Sequence, residues 1–179
     1  MTDIQKYNTD KTPLISDIKD VQDRLKKEFN KAPNPKSVKV NKYAGNSKYV
    51  PIGIVQGLLD RLFISWDWRI NDVKVIMNGV MVRGTLTCLT PGGNTINMDG
   101  IGASEFQLKK GESTLTPDTL NSKAIERDVP KAEAEALKSA AKKLGRIFGR
   151  SLNRDEDFMY VPDDDLLNRI FNIKNEENE

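Results

Sequence analysis

Five cations recur at every fourth position toward the end of the chain: Lys138, Lys142, Arg146, Arg150 and Arg154. Counting Lys143, residues 138–154 hold six cations and no acid. On a helix turning about 100° per residue, Lys131, Lys138, Lys142, Lys143, Arg146 and Arg150 share an arc of about 140°. Leu137, Ala140, Ala141, Leu144, Ile147, Phe148 and Leu152 fill the opposite arc. Like charges one turn apart cost about 0.2–0.5 kcal/mol per pair, and exposed helices ordinarily interleave Glu with Lys. The helix macrodipole accounts for cations in the last turn only. A polyanion laid along the cationic arc removes the repulsion and releases counterions, so the spacing points to a nucleic-acid surface. Gly145 and Gly149 fall at the border of the two arcs, each costing about 1 kcal/mol against Ala inside a helix. They leave a strip without Cβ atoms, open to a phosphate backbone or another protein element, or else to tight packing on a sheet.

A second basic stretch lies at 31–48, with Lys31, Lys36, Lys39, Lys42 and Lys48 and no acid. It is either a solvated linker or a phosphate-contacting arm. Proteins that hold single strands combine a basic groove with rings on which bases stack. Tyr43 and Tyr49 stand in or beside this stretch and suit that role better than Trp66 and Trp68, whose shared strand face reads as core.

Other chemistries are poorly supplied. The chain of 179 residues has no histidine, which excludes imidazole as base or metal ligand. Cys88 is the only cysteine, so neither an internal disulfide nor a thiolate cluster can form. Phosphate-loop and dinucleotide fingerprints are absent from the sequence, and no cofactor is expected. Asp60, Asp72 and Lys74 make the nearest approach to a Mg²⁺ nuclease set. No apolar run approaches the roughly 18 residues of a membrane span, and the polar N-terminus is not a secretory signal. The expectation is a cytoplasmic protein without a membrane partner.

The elements that must position these groups follow from periodicity. Thr12-Pro13 starts a helix over 13–30, with Leu14, Ile18, Val21, Leu25 and Phe29 on one face, and Ala32-Pro33-Asn34-Pro35 ends it. A short strand is possible at 38–41, and Ile54, Val55, Leu58, Leu59 and Leu62 predict a helix over 52–63. The pattern then switches to period two. Trp66, Trp68 and Ile70 give way to Val73 and Val75 of opposite parity, which predicts a bulge at Asn71-Asp72. Asn78-Gly79 is a hairpin signal. Val80, Val82, Leu86 and Cys88 line the next strand, Pro91-Gly92-Gly93-Asn94 turns the chain, and a third strand ends at Asp99-Gly100-Ile101-Gly102. Residues 104–121 read as a loop or hairpin, and a helix is expected from Pro130 to about Leu152. The class is α+β: a three-stranded antiparallel β-meander packed by a long basic helix, with N-terminal helices and an acidic C-terminal tail.

Four features together resemble the single-strand annealing proteins of the Rad-fifty-two superfamily, over about 60% of the chain. They are Leu58 to Phe63 followed closely by Trp66; the meander; Asp99-Gly100-Ile101-Gly102-Ala103-Ser104-Glu105 after it; and the run Lys131-Ala132-Glu133-Ala134-Glu135-Ala136-Leu137-Lys138-Ser139-Ala140-Ala141-Lys142-Lys143-Leu144-Gly145-Arg146-Ile147-Phe148-Gly149. The resemblance implies a β-β-β-α core that assembles into rings or open helices. It further implies a basic groove holding single-stranded DNA with its bases exposed, and ATP-independent annealing of complementary strands in recombination and repair. Such a protein makes and breaks no bond, so it is not an enzyme. Lys138 and Lys142 fall on the family's two inner-groove cations. Ser139 stands where some members carry another basic residue, leaving that contact to Lys143 or Arg146. Lys123 lies near a family lysine before the helix, with spacing that differs by about two residues. The basic residue some relatives carry before the first strand is replaced by Ile54 or Val55.

The DNA-binding candidates are therefore Lys138, Lys142, Lys143, Arg146, Arg150, Lys123, Lys131, Lys42, Lys48 and Tyr43. The expected organisation is an N-terminal helix and basic linker at 1–48, an annealing core at 49–154, and an acidic tail at 155–179. The N-terminal helix packs either on its own core or on a neighbouring subunit. The formal net charge of +2 is a cancellation, because residues 1–154 carry 26 cations and 17 acids while residues 155–179 carry 2 cations and 9 acids. The tail is a candidate competitor for the groove, a dock for a host single-strand-binding or replication protein, or a solubilising segment. Two rival functions remain at this point: a coating protein that protects single strands without annealing them, and the metal nuclease. The setting expected is a phage recombination protein in a bacterial host cell.

Overall fold

The computed structural model describes residues 15–42, 44–112, 116 and 118–154, with side chains from residue 19 onward. The predicted start of the first helix at Thr12-Pro13, Tyr43, and the acidic tail from residue 155 lie outside the described residues. Helix α1 spans Ile15–Asn30. Its Phe29 is buried, with its ring 5.7 Å from that of Phe63 and 6.4 Å from that of Phe148. The helix thus packs on the core of its own chain. Strands β1 (Lys39–Asn41) and β2 (Ser47–Tyr49) form a small antiparallel hairpin, whose tip uses left-handed backbone at Gly45 and Asn46. The lysine-rich stretch is therefore part of the fold, with β2 beyond the single short strand expected from sequence.

Helix α2 covers Ile52–Leu62 and buries Val55 and Leu59. The meander follows as β3 (Ser65–Ile76), β4 (Gly79–Leu89) and β5 (Thr95–Glu105), in the spatial order β3-β4-β5. The ladder shifts register between Ile70 and Asp72, where the change of parity predicts the bulge. Val80, Val82, Leu86 and Cys88 all face the core. The first hairpin differs by one residue from expectation. Ile76 pairs with Gly79, so the two loop residues are Met77-Asn78, and Met77 adopts a φ of 50°. Gly79 is needed inside the ladder, because a Cβ there would crowd the Ser104 carbonyl on β5. The ladder contact decides the turn over the Asn-Gly signal.

Strand β5 continues through Gly100 and Gly102 instead of ending at them. Both glycines lie under helix α3 (Ala124–Leu144), and a Cβ on either would overlap the α3 backbone at Ala136 or Ala132. They are strand residues that let a helix approach, not the end of the strand. Helix α3 packs on β5 and β4 through Ala132, Ala136, Leu137, Ala140 and Ala141, all buried.

Both ends of α3 differ from the expected span of 130 to about 152. The helix starts six residues earlier and carries Pro130 inside it. Ala124 is buried there, and the buried Asp128 carboxylate accepts from the Gln107 amide at 2.9 Å, so tertiary contacts hold a turn that proline disfavours. The helix stops at Leu144, because Gly145 extends the chain against the Phe29 backbone, where a Cβ would overlap the Phe29 carbonyl. A single 3-10 turn at Arg146–Phe148 follows, closed by Gly149 in left-handed geometry. Gly145 thus admits α1 and Gly149 ends the turn, and the five-cation stripe is cut after Lys142. Between β5 and α3, Leu108 and Leu120 form an isolated antiparallel bridge.

Candidate functional site

A groove of about 340 Å³ opens between the β1–β2 hairpin and the C-terminal half of α3, lined by Lys48, Tyr49, Glu135, Lys138, Lys142 and Asn153 among others. Lys138 and Lys142 share one face because they are one helical turn apart. Lys48 and Tyr49 reach the same space from β2. The hairpin is tied to the segment after α3 by Asn153. The Lys48 amide donates to Asn153 Oδ1 at 2.7 Å, and Asn153 Nδ2 donates to the Lys48 carbonyl at 2.8 Å. Residues 105 apart in sequence are thereby locked into one wall.

The three lysines differ in electrostatic state. Lys138 is 9% exposed, ion-paired with Glu135, and its ammonium stands 5.4 Å from the centroid of the Tyr49 ring. A cation so far out of water needs such partners, and the ring adds about 0.5–2 kcal/mol of cation–π attraction. Lys48 and Lys142 are exposed and their ammonium groups have no ion-pair partner among the described residues. Among the described residues the groove therefore presents two cations without an ion-pair partner, a third paired with Glu135, and an aromatic ring.

The remaining candidates lie elsewhere. Lys143 donates to the Asp99 carbonyl at 2.7 Å, on the β5 side of the helix. Arg146 and Arg150, expected on the helical stripe, sit in and just after the 3-10 turn, and neither lines the groove. The Arg146 Nε points toward Ser151 Oγ, 3.5 Å away. Lys131 and Lys123 are exposed on and just before the N-terminal half of α3, about 10 Å and 22 Å along the axis from Lys138. Lys42 is exposed beside the hairpin tip. Trp66 and Trp68 pack against the core, with the Trp66 indole donating to Asp60 at 2.8 Å. Asp72 pairs with Lys74 at 3.1 Å. Among the described residues no group of three or more His, Cys, Asp or Glu side chains comes together to hold a metal.

Sequence reasoning passed over Glu135 and Asn153. Glu135 had a readable signal, an acid three positions before Lys138. Asn153 had none, since its partner is a backbone segment distant in the chain.

Fold and groove together define an α+β protein whose meander is roofed by a helix, with a cation-lined, aromatic-backed cleft at one side. No family model matches the chain, and no curated protein matches it. No described helix is long and apolar enough to cross a membrane.

Proposed function

We propose that the protein binds single-stranded DNA and anneals complementary strands without ATP, as a homo-oligomer in a bacterial cytoplasm, in the manner of phage recombination proteins. The observation that carries this reading is the groove that joins Lys48, Lys138 and Lys142 to the Tyr49 ring. Cations spaced along a cleft neutralise successive phosphates, and a ring beside them offers a face to a base without selecting its identity. On this reading pairing between the bases of two held strands is the whole reaction, and the protein itself makes and breaks no bond. The resemblance carried by the 131–149 run and the Asp99 to Glu105 segment supports annealing over simple coating.

Assembly is supported by the sheet. Ile70, Val73 and Val75 lie on the α3-facing side of edge strand β3 and are 44%, 50% and 69% exposed, because α3 packs on β5 and β4. An apolar row along an unpaired edge favours association with another copy. The test is a strand-annealing assay with complementary oligonucleotides, without nucleotide and with or without Mg²⁺, accompanied by sizing of the protein. Faster duplex formation by an oligomer, independent of Mg²⁺, is expected. Strand protection with no gain in annealing rate would leave a coating protein, and Mg²⁺-dependent cleavage would return the nuclease.

A further inference from the structure

The groove opens where the described chain leaves the fold. Asn153 clamps β2 and lines the groove, and Arg154 follows it. The next eleven residues are Asp155-Glu156-Asp157-Phe158-Met159-Tyr160-Val161-Pro162-Asp163-Asp164-Asp165, with six acids, two aromatic rings and no cation. Two exposed lysines without ion-pair partners among the described residues, Lys48 and Lys142, therefore line the same groove as Asn153, which in sequence comes two residues before the most acidic segment of the chain.

We infer that residues 155–165 are a second ligand of this groove, which docks on Lys48 and Lys142 and is displaced by a single strand. The chemistry matches group for group. Carboxylates substitute for phosphates on the lysines, and Phe158 and Tyr160 substitute for bases beside Tyr49. Reach is no obstacle, because eleven extended residues span roughly 36 Å from an anchor already on the groove wall. A tethered ligand acts at an effective concentration of about millimolar, so individually weak, screened pairs suffice for occupancy. The net charge of +9 on residues 1–154 against −7 on residues 155–179 gives the attraction its sign. The docked segment would repel strands held loosely at low salt and yield to one that engages the whole oligomer. The competition rests on the groove being the strand site proposed above; the docking does not.

The experiment uses the full chain and a variant with Asp155→Asn, Glu156→Gln, Asp157→Asn, Asp163→Asn, Asp164→Asn and Asp165→Asn. Without DNA at ~20 mM salt, acetylation of Lys48 and Lys142 by acetic anhydride is expected to run ~3-fold faster in the variant, with Lys131 as an unchanged reference. In the unsubstituted chain the same protection should fade by ~300 mM salt, a measurement that needs no variant. Affinity for oligo(dT) should rise ~5-fold in the variant at low salt. Equal Lys48 and Lys142 rates in the two proteins, with no salt effect in the unsubstituted one, would overturn the docking. Faster acetylation with unchanged DNA affinity would uphold the docking and remove the groove as the strand site.

Discussion

The two long sides of α3 are built on opposite principles. One side carries Ala132, Ala136 and Ala140 against Gly100 and Gly102 of β5, backbone on backbone, with no space for a methyl group. The other carries Lys138 and Lys142 toward β2 across an open groove. On the first side the energy is dispersion and apolar burial, which a single misplaced carbon disrupts. On the second it is charge in or near water, which salt screens and side-chain motion forgives. Substitutions on the packed side should therefore change stability, and those on the groove side should change binding.

The largest effect expected is from Gly102→Val, which forces β5 and α3 apart and should cost at least about 3 kcal/mol in denaturant unfolding. A variant with unchanged midpoint would mean that the helix–sheet contact is looser than it stands. Asp128→Ala, at the N-terminal end of the packed side, strips the Gln107 amide of its acceptor and should cost about 1.5–3 kcal/mol by thermal melting. Crossing to the groove, Lys48→Ala with Lys142→Ala should leave the melting temperature in place. Single-strand affinity should fall roughly tenfold or more at low salt, and the slope of log K against log salt should flatten by about 1.4. An unchanged slope would take both lysines out of phosphate contact. Glu135→Gln, which releases Lys138 from its ion pair, should tighten single-strand binding by a few-fold. A weakening would instead make Glu135 the group that positions Lys138.

The smallest effect belongs to the packed interior. Burial pushes the Cys88 thiol up to about 12 from 9.0, so it stays protonated and inert toward thiol reagents in the native protein. Above pH 9 the unfolded chain loses this proton while the folded one keeps it. The stability that Cys88 contributes is thus complete below pH 9 and lost as the pH climbs toward 12. Cys88→Ala should show a shallower loss of stability across that interval.

Much of this arrangement is legible in the residues. The change of parity after Ile70 marks the bulge in β3, and Val80, Val82, Leu86 and Cys88 announce the inner face of β4, because both depend on alternation along one strand. Lys138 and Lys142 are readable as neighbours on a helix. The ends of α3 are less so. A wheel drawn past Gly145 carries Arg146 and Arg150 onto a stripe that the chain abandons, because the Phe29 backbone occupies the space a continuing helix would need. Gly100 and Gly102 read as the end of a strand until a helix is found lying on them. Nor does the parity of Ile70, Val73 and Val75 reveal that they are exposed, which follows from α3 sitting over β5 and β4.

Local order thus decided the class of the fold, the meander and the charge partition, since alternation, helical period and net charge need no partner to exist. Tertiary contact decided where α3 begins and ends, which cations share a groove, and which of them faces a ring. Lys48 meets Lys142 because Asn153 binds a strand 105 residues away, and Lys138 meets the Tyr49 ring because that strand lies beside α3. Those are distances in space, and no spacing along a chain encodes them.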